Sequence, residues 1–131
     1  MKTSLSLIGI FISLIILTSF SNEKSEMGSI ELKNYEIPDN INAIFDQSCI
    51  MCHNKEAKNE KSKKKLLLDD IDSLSKSKFI SKLSKIAEVV SKGEMPPEKF
   101  TAKYPDKKLS DDDKNTLISW SKNYAEELSK K

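Results

Sequence analysis

One pentapeptide limits what this chain can become. Cys49-Ile50-Met51-Cys52-His53 holds both cysteines and the only histidine of the 131 residues. Two cysteines three apart, with a histidine directly after the second, form C-x-x-C-H, the attachment signature of a c-type haem. The spacing follows from the chemistry. Each cysteine sulfur can add across one haem vinyl group to form a thioether. Residues three apart lie on one side of a helical turn, so both sulfurs can face one porphyrin edge. The histidine then stands where its imidazole reaches the iron as proximal ligand. The expectation is one covalent haem c per chain, attached through Cys49 and Cys52, with His53 on the metal.

The residues leave other readings open. A bare C-x-x-C also serves as a disulfide, as a thioredoxin-like redox pair or as half a zinc site. Structural zinc needs about four ligands, and three cluster here with no second Cys/His pair. A thioredoxin-like site needs a βαβ unit, and no strand alternation surrounds this motif.

The start of the chain reads as an address. Met1-Lys2-Thr3 is a short positive region, Leu5 to Leu17 is an apolar run, and Thr18-Ser19-Phe20-Ser21 supplies small residues for a cut near Ser21. This pattern predicts a secretory signal peptide over 1–21, with an uncleaved anchor as the alternative. The run falls short of the ~20 residues a spanning helix needs, so cleavage is the favoured reading, with no membrane span afterwards. Export to the periplasm fits cysteines that are both consumed as thioethers.

Charge narrows the partners. All 22 basic side chains are lysines, and without Lys2 the remaining 21 face 20 acidic residues. A near-neutral mature chain lacks the basic excess of a nucleic-acid binder. The mature length suits one modest domain, with a buried haem supplying missing apolar surface.

Residues 22–37 are polar with isolated apolar positions and read as a linker or arm. Pro38 predicts a helix start, with Asp39 or Asn40 as cap. Ile41, Ile44, Phe45 and Cys49 recur at helical spacing, predicting a helix over about 40–49 that delivers the motif. Lys55 to Lys65 reads as a solvated lysine-rich loop or as a docking patch for an acidic redox partner. Leu66-Leu67-Leu68 should pack against the haem or a helix, and Asp69, Asp70 and Asp72 read as turn residues. Phe79, Ile80, Leu83, Ile86, Ala87 and Val90 predict an amphipathic helix over about 77–92, stopped at Gly93. Glu94-Met95-Pro96-Pro97 should be a rigid turn, and Phe100 and Tyr104 should lie in a loop. Ser110 with Asp113 resembles a capping box opening a last helix over about 111–128.

Met95 is the expected distal iron ligand. There is no second histidine, Met51 lies inside the attachment loop, and Met27 lies in the polar arm. Met95 stands alone in the turn, 42 residues after His53. Its alternative role is to fill a gap beside the haem.

The order of these features resembles a class I cytochrome c domain: a helix into C-x-x-C-H, a long connection, a Met-Pro loop and a terminal helix with an aromatic. Phe45 matches the aromatic of that family's first helix, and Leu117-Ile118-Ser119-Trp120 matches the Leu-x-x-aromatic turn of its last. The two turns pack together in that family. Ile41 departs from the small residue usual at the crossing. Closer is a likeness to the bacterial haem-binding domain family of small exported proteins, carried by Ile86 to Pro97, Tyr104-Pro105, Lys108-Leu109-Ser110 and Trp120. Many members have an aromatic-rich segment after the histidine, whereas Asn54 to Lys65 has no aromatic. The resemblance implies an all-α, cytochrome c-like fold over 38–131, with three to four helices around one covalently attached haem. It implies an exported monomeric electron carrier, not an enzyme, that passes single electrons between periplasmic redox proteins. A haem enzyme or gas sensor with an open distal site is the alternative, and a disulfide-bonded interaction protein a third.

Overall fold

Pro38 starts the first helix, as its fixed backbone dictates. In the computed structural model, which describes residues 35–131, Pro38 has φ −58° and ψ 147°, and its carbonyl accepts from the N–H groups of Ile41 and Asn42 at 2.9 and 3.0 Å. Helix α1 spans Asp39–Ser48. Neither Asp39 nor Asn40 caps it with a side chain; Asp39 stands in the first turn, where its charge favours the helix N-terminus. Ile41, Ile44, Phe45 and Ser48 form the buried face.

The other long helices follow their apolar period. Helix α3, Lys76–Ser91, buries Phe79, Leu83, Ile86, Ala87 and Val90. Gly93 ends it with a left-handed φ of 69°. Its N–H reaches Val90 O at 3.1 Å, and Glu94 N–H reaches Val89 O at 2.9 Å, a Schellman closure. Helix α5, Asp111–Lys130, is capped by Ser110, whose Oγ accepts from Asp113 N–H at 3.0 Å. The Ser110 hydroxyl donates in turn to Asp113 Oδ2 at 2.6 Å. Helices α3 and α5 form the most extensive pair.

An aromatic cluster joins these elements. Tyr35 stacks on Phe79 with centroids 4.1 Å apart and planes 8° apart. Tyr124 of α5 meets Phe79 edge-on at 5.6 Å. Trp120 meets Phe45 edge-on at 6.1 Å, so the two aromatic turns of α1 and α5 do touch. Ile41, at 1 % exposure, is packed into the core.

The described residues are all helical, with no strand. They differ from the expectation in three places. There are five α-helices rather than three to four: α2, Glu60–Lys65, lies inside the expected lysine loop, and α4, Glu98–Lys103, lies where Phe100 and Tyr104 were to form a loop. Neither buries a residue, so neither carries the apolar period by which helices are read. Short 3-10 turns occupy Leu68–Asp70 and Pro105–Lys107. The packed body also begins before residue 38, because Tyr35 is buried and its N–H bonds to Asp72 O at 2.9 Å. The expected signal peptide over 1–21, the arm up to residue 34 and Met27 lie outside the described residues. No described helix is long and apolar enough to cross a membrane.

Candidate functional site

The end of α1 builds the attachment turn. Cys49 caps the helix, with its N–H on Phe45 O at 2.8 Å. The chain then folds tightly: Cys52 N–H reaches Cys49 O at 3.1 Å, and His53 N–H lies 3.2 Å from both Cys49 O and Ile50 O. Asn54 Nδ2 donates to Ile50 O at 2.6 Å, which braces the turn from beyond His53. One turn therefore brings Cys49, Cys52 and His53 together. Both thiols are unpaired and half-buried, while Met51 between them is exposed. Burial pushes the Cys49 thiol up to about 12, and neighbouring Cys52 adds to the rise. A redox-exchange cysteine needs a stabilised thiolate, and this one is held as a thiol.

His53 is 9 % exposed and anchored at both ends. Its carbonyl accepts from Leu68 N–H at 2.9 Å. Its Nδ1 lies 3.1 Å from Ser62 O and 3.0 Å from Leu66 O. Carbonyl oxygens only accept, so Nδ1 carries the proton. In the neutral ring the lone pair is then on Nε2, the nitrogen left free to bind a metal.

Helix α2 supplies these acceptors. Asn59 Oδ1 caps it, accepting from Lys61 and Ser62 N–H at 3.0 and 3.2 Å. Glu60 stands in its first turn and three lysines in its last, both favourable to the helix dipole. The Lys55 backbone N–H donates to Asp69 Oδ2 at 2.7 Å, and its ammonium pairs with Asp70, so these aspartates hold the loop beneath α2. The sequence does signal the Asn59 cap. It carries no signal for the Ser62 and Leu66 carbonyls.

Met95 stands apart from this turn. It lies in the connection between α3 and α4, with its N–H on Val89 O at 3.3 Å, and the residue is 38 % exposed. No described hydrogen bond, ion pair or aromatic contact links it to His53.

Two cavities stand out among the described residues. One, about 310 Å³, is lined by Tyr35, Phe45, Ile50, Leu68 and Ile71, with Asp46, Asp69 and Asp72 on its walls. The other, about 430 Å³, is a groove between α3 and α5. Neither is lined by Cys49, Cys52, His53 or Met95.

The haem-binding domain family matches residues 58–123, just over half of the chain. The chain belongs to this haem-binding family. The match runs from α2 into α5 and includes Met95; it begins five residues past His53, so the C-x-x-C-H turn adjoins it. No curated protein and no solved structure matches the chain.

The donor set fits a haem. An imidazole with its proton fixed on Nδ1 presents Nε2 to iron, and two unpaired thiols precede it in the same turn. Ser48 Oγ and Asn54 Oδ1, buried at the two edges of that turn, lack protein partners. Buried polar atoms ordinarily have partners, so these two mark the edges of the turn as incompletely satisfied.

Proposed function

We propose that this chain is an exported monohaem c-type cytochrome of class I cytochrome c-like fold, carrying single electrons between periplasmic redox partners. The observation that carries the proposal is the approach of Ser62 O and Leu66 O to His53 Nδ1, at 3.1 and 3.0 Å, directly after a C-x-x-C turn in a haem-binding chain. Cys49 and Cys52 would form the thioethers, and His53 Nε2 and Met95 would hold the iron. When bound, the haem supplies a one-electron iron couple whose potential depends on its axial ligands. The chain's residues do the rest. The α1 cap presents the two sulfurs together, and the carbonyls of Ser62 and Leu66 orient the imidazole. The edge contact of Phe45 on Trp120 supports the cytochrome c-like crossing. The apolar leader supports export to the periplasm, followed by cleavage near Ser21. The proposed role is that of a monomeric electron carrier rather than an enzyme.

A second reading has its own observation. Met95 is exposed and lies on a different connection from His53, which favours an open distal site, as in a haem enzyme or gas sensor. One experiment separates the two. The chain is expressed with a haem-attachment system and its spectrum taken in both redox states, with and without carbon monoxide. An electron carrier ligated by Met95 keeps a sulfur-to-iron charge-transfer band when oxidised and excludes carbon monoxide when reduced. Met95→Ala should abolish the band, lower the potential and admit carbon monoxide. Ready carbon monoxide binding by the unaltered protein supports the open site instead. Haem that separates from the chain on a denaturing gel removes covalent attachment altogether.

A further inference from the structure

Helix α2 is an improbable element to stand alone. It has six residues and buries none of them. Isolated helices shorter than about 12–15 residues are marginal in water, so α2 depends on what ties its ends. Asn59 ties the first turn. The last turn is tied from another element: Lys82 of α3 donates its ammonium to Lys65 O at 2.5 Å. This is the one side-chain hydrogen bond between α3 and α2 among the described residues. It links α2 to the rigid α3–α5 pair. Leu66, next after Lys65, presents a carbonyl to His53 Nδ1, and its own N–H closes on Ser62 O at 2.9 Å. The two acceptors of His53 and the tie from Lys82 therefore share one turn.

We propose that Lys82 is a positioning residue for His53: by binding the Lys65 carbonyl it holds the last turn of α2 where the Ser62 and Leu66 carbonyls accept the Nδ1 proton. The inference rests on the reading of His53 as the iron ligand. Its consequence has a definite sign. A firm hydrogen bond from Nδ1 makes the imidazole a stronger donor, which favours the oxidised iron. A loosened α2 weakens the bond and favours the reduced iron. Loss of a nearby positive charge acts the opposite way, so it must be controlled. Lys78 provides the control: it lies one helical turn before Lys82 on α3, is exposed, and has no hydrogen-bond or ion-pair partner among the described residues.

The test uses the full chain with Lys82→Met, Lys82→Arg, Lys78→Met and Asn59→Ala. Redox titration of the haem-loaded proteins gives the reduced-to-oxidised ratio at a fixed potential. That ratio should be higher in Lys82→Met than in Lys78→Met by a factor on the order of three to ten, within the reach of groups around a metal ligand. Lys82→Arg should restore the unaltered value. Asn59→Ala, which loosens α2 from its other end, should shift the ratio the same way. Nitrogen-15 NMR of the His53 ring gives a second readout that needs no haem: the Nδ1–H form should dominate in the parent chain and in Lys78→Met, and give way to a mixture in Lys82→Met. Equal potentials for Lys82→Met and Lys78→Met, with the Nδ1–H form retained, overturn the proposal. A chain that takes up no haem overturns the cytochrome reading alone, and the NMR comparison still judges Lys82.

Discussion

At His53 the two ring nitrogens are made unlike by backbone, not by side chains. Two carbonyls claim Nδ1, and Nε2 keeps its lone pair. Cys49, four positions earlier, is shaped by burial: a thiol raised to about 12 is almost wholly protonated at neutral pH. This gives a residue-level prediction for the chain before haem attachment. The thiolate is the form that attacks iodoacetamide, so at pH 8 Cys49 should be alkylated at least about tenfold more slowly than a thiol at the ordinary value near 9. Peptide mass spectrometry after timed quenching measures the rate. Alkylation of Cys49 at the rate of a small free thiol contradicts the burial account.

Among the elements, α3 and α5 show how local chemistry sets boundaries. Ser110 answers one of the orphan N–H groups of α5, and Ser110→Ala should cost about 1 kcal/mol. For a domain of this size that corresponds to a fall of about 4–8 °C in Tm by calorimetry. An unchanged transition would mean that the helix start is held by packing alone. Glu88 on α3 behaves differently. Hydrogen bonds from Lys85 and then Lys92 hold its carboxyl down at about 2. A folded-state value below the unfolded one gives stability that is present above about 4.5 and lost as pH falls toward 2. Glu88→Gln should therefore lower Tm slightly at pH 7, and the gap to the parent should narrow as pH falls to 2. The ion pairs are exposed, so 1 M salt should shrink the gap at pH 7. A gap as large at pH 2 as at pH 7 assigns the effect to something other than charge.

Over the whole molecule the charges nearly cancel, yet they are unevenly placed. On α2, Lys61, Lys64 and Lys65 have no ion-pair partner among the described residues, while Lys63 pairs with Glu60. Ser62 of this helix and Leu66 directly after it also supply the carbonyls that meet His53 Nδ1. If these lysines steer an acidic partner, the electron-transfer rate with that partner should fall as salt rises, because exposed charges are screened beyond ~10 Å at 0.1 M ionic strength. Changing Lys61, Lys63, Lys64 and Lys65 to glutamine should slow the low-salt rate and flatten the salt dependence. Stopped-flow mixing measures both, and a salt-independent rate returns α2 to a structural role only.

The sequence by itself determined whatever depends on near neighbours along the chain. The long helices α1, α3 and α5 were legible because their apolar residues recur every three or four positions, and their ends because Pro38, Gly93 and Ser110 act within a turn. The C-x-x-C-H turn was legible for the same reason, since its three side chains lie within five residues. Only the tertiary structure decided the rest. Tyr35 joins the core through a stack with Phe79, a partner 44 positions away that no local pattern announces. Helices α2 and α4 bury no residue and so leave no periodic trace. The acceptors of His53 are carbonyls nine and thirteen residues downstream. Every residue carries a carbonyl, so the identity of an acceptor is set by where the folded backbone points it, not by which side chain it bears.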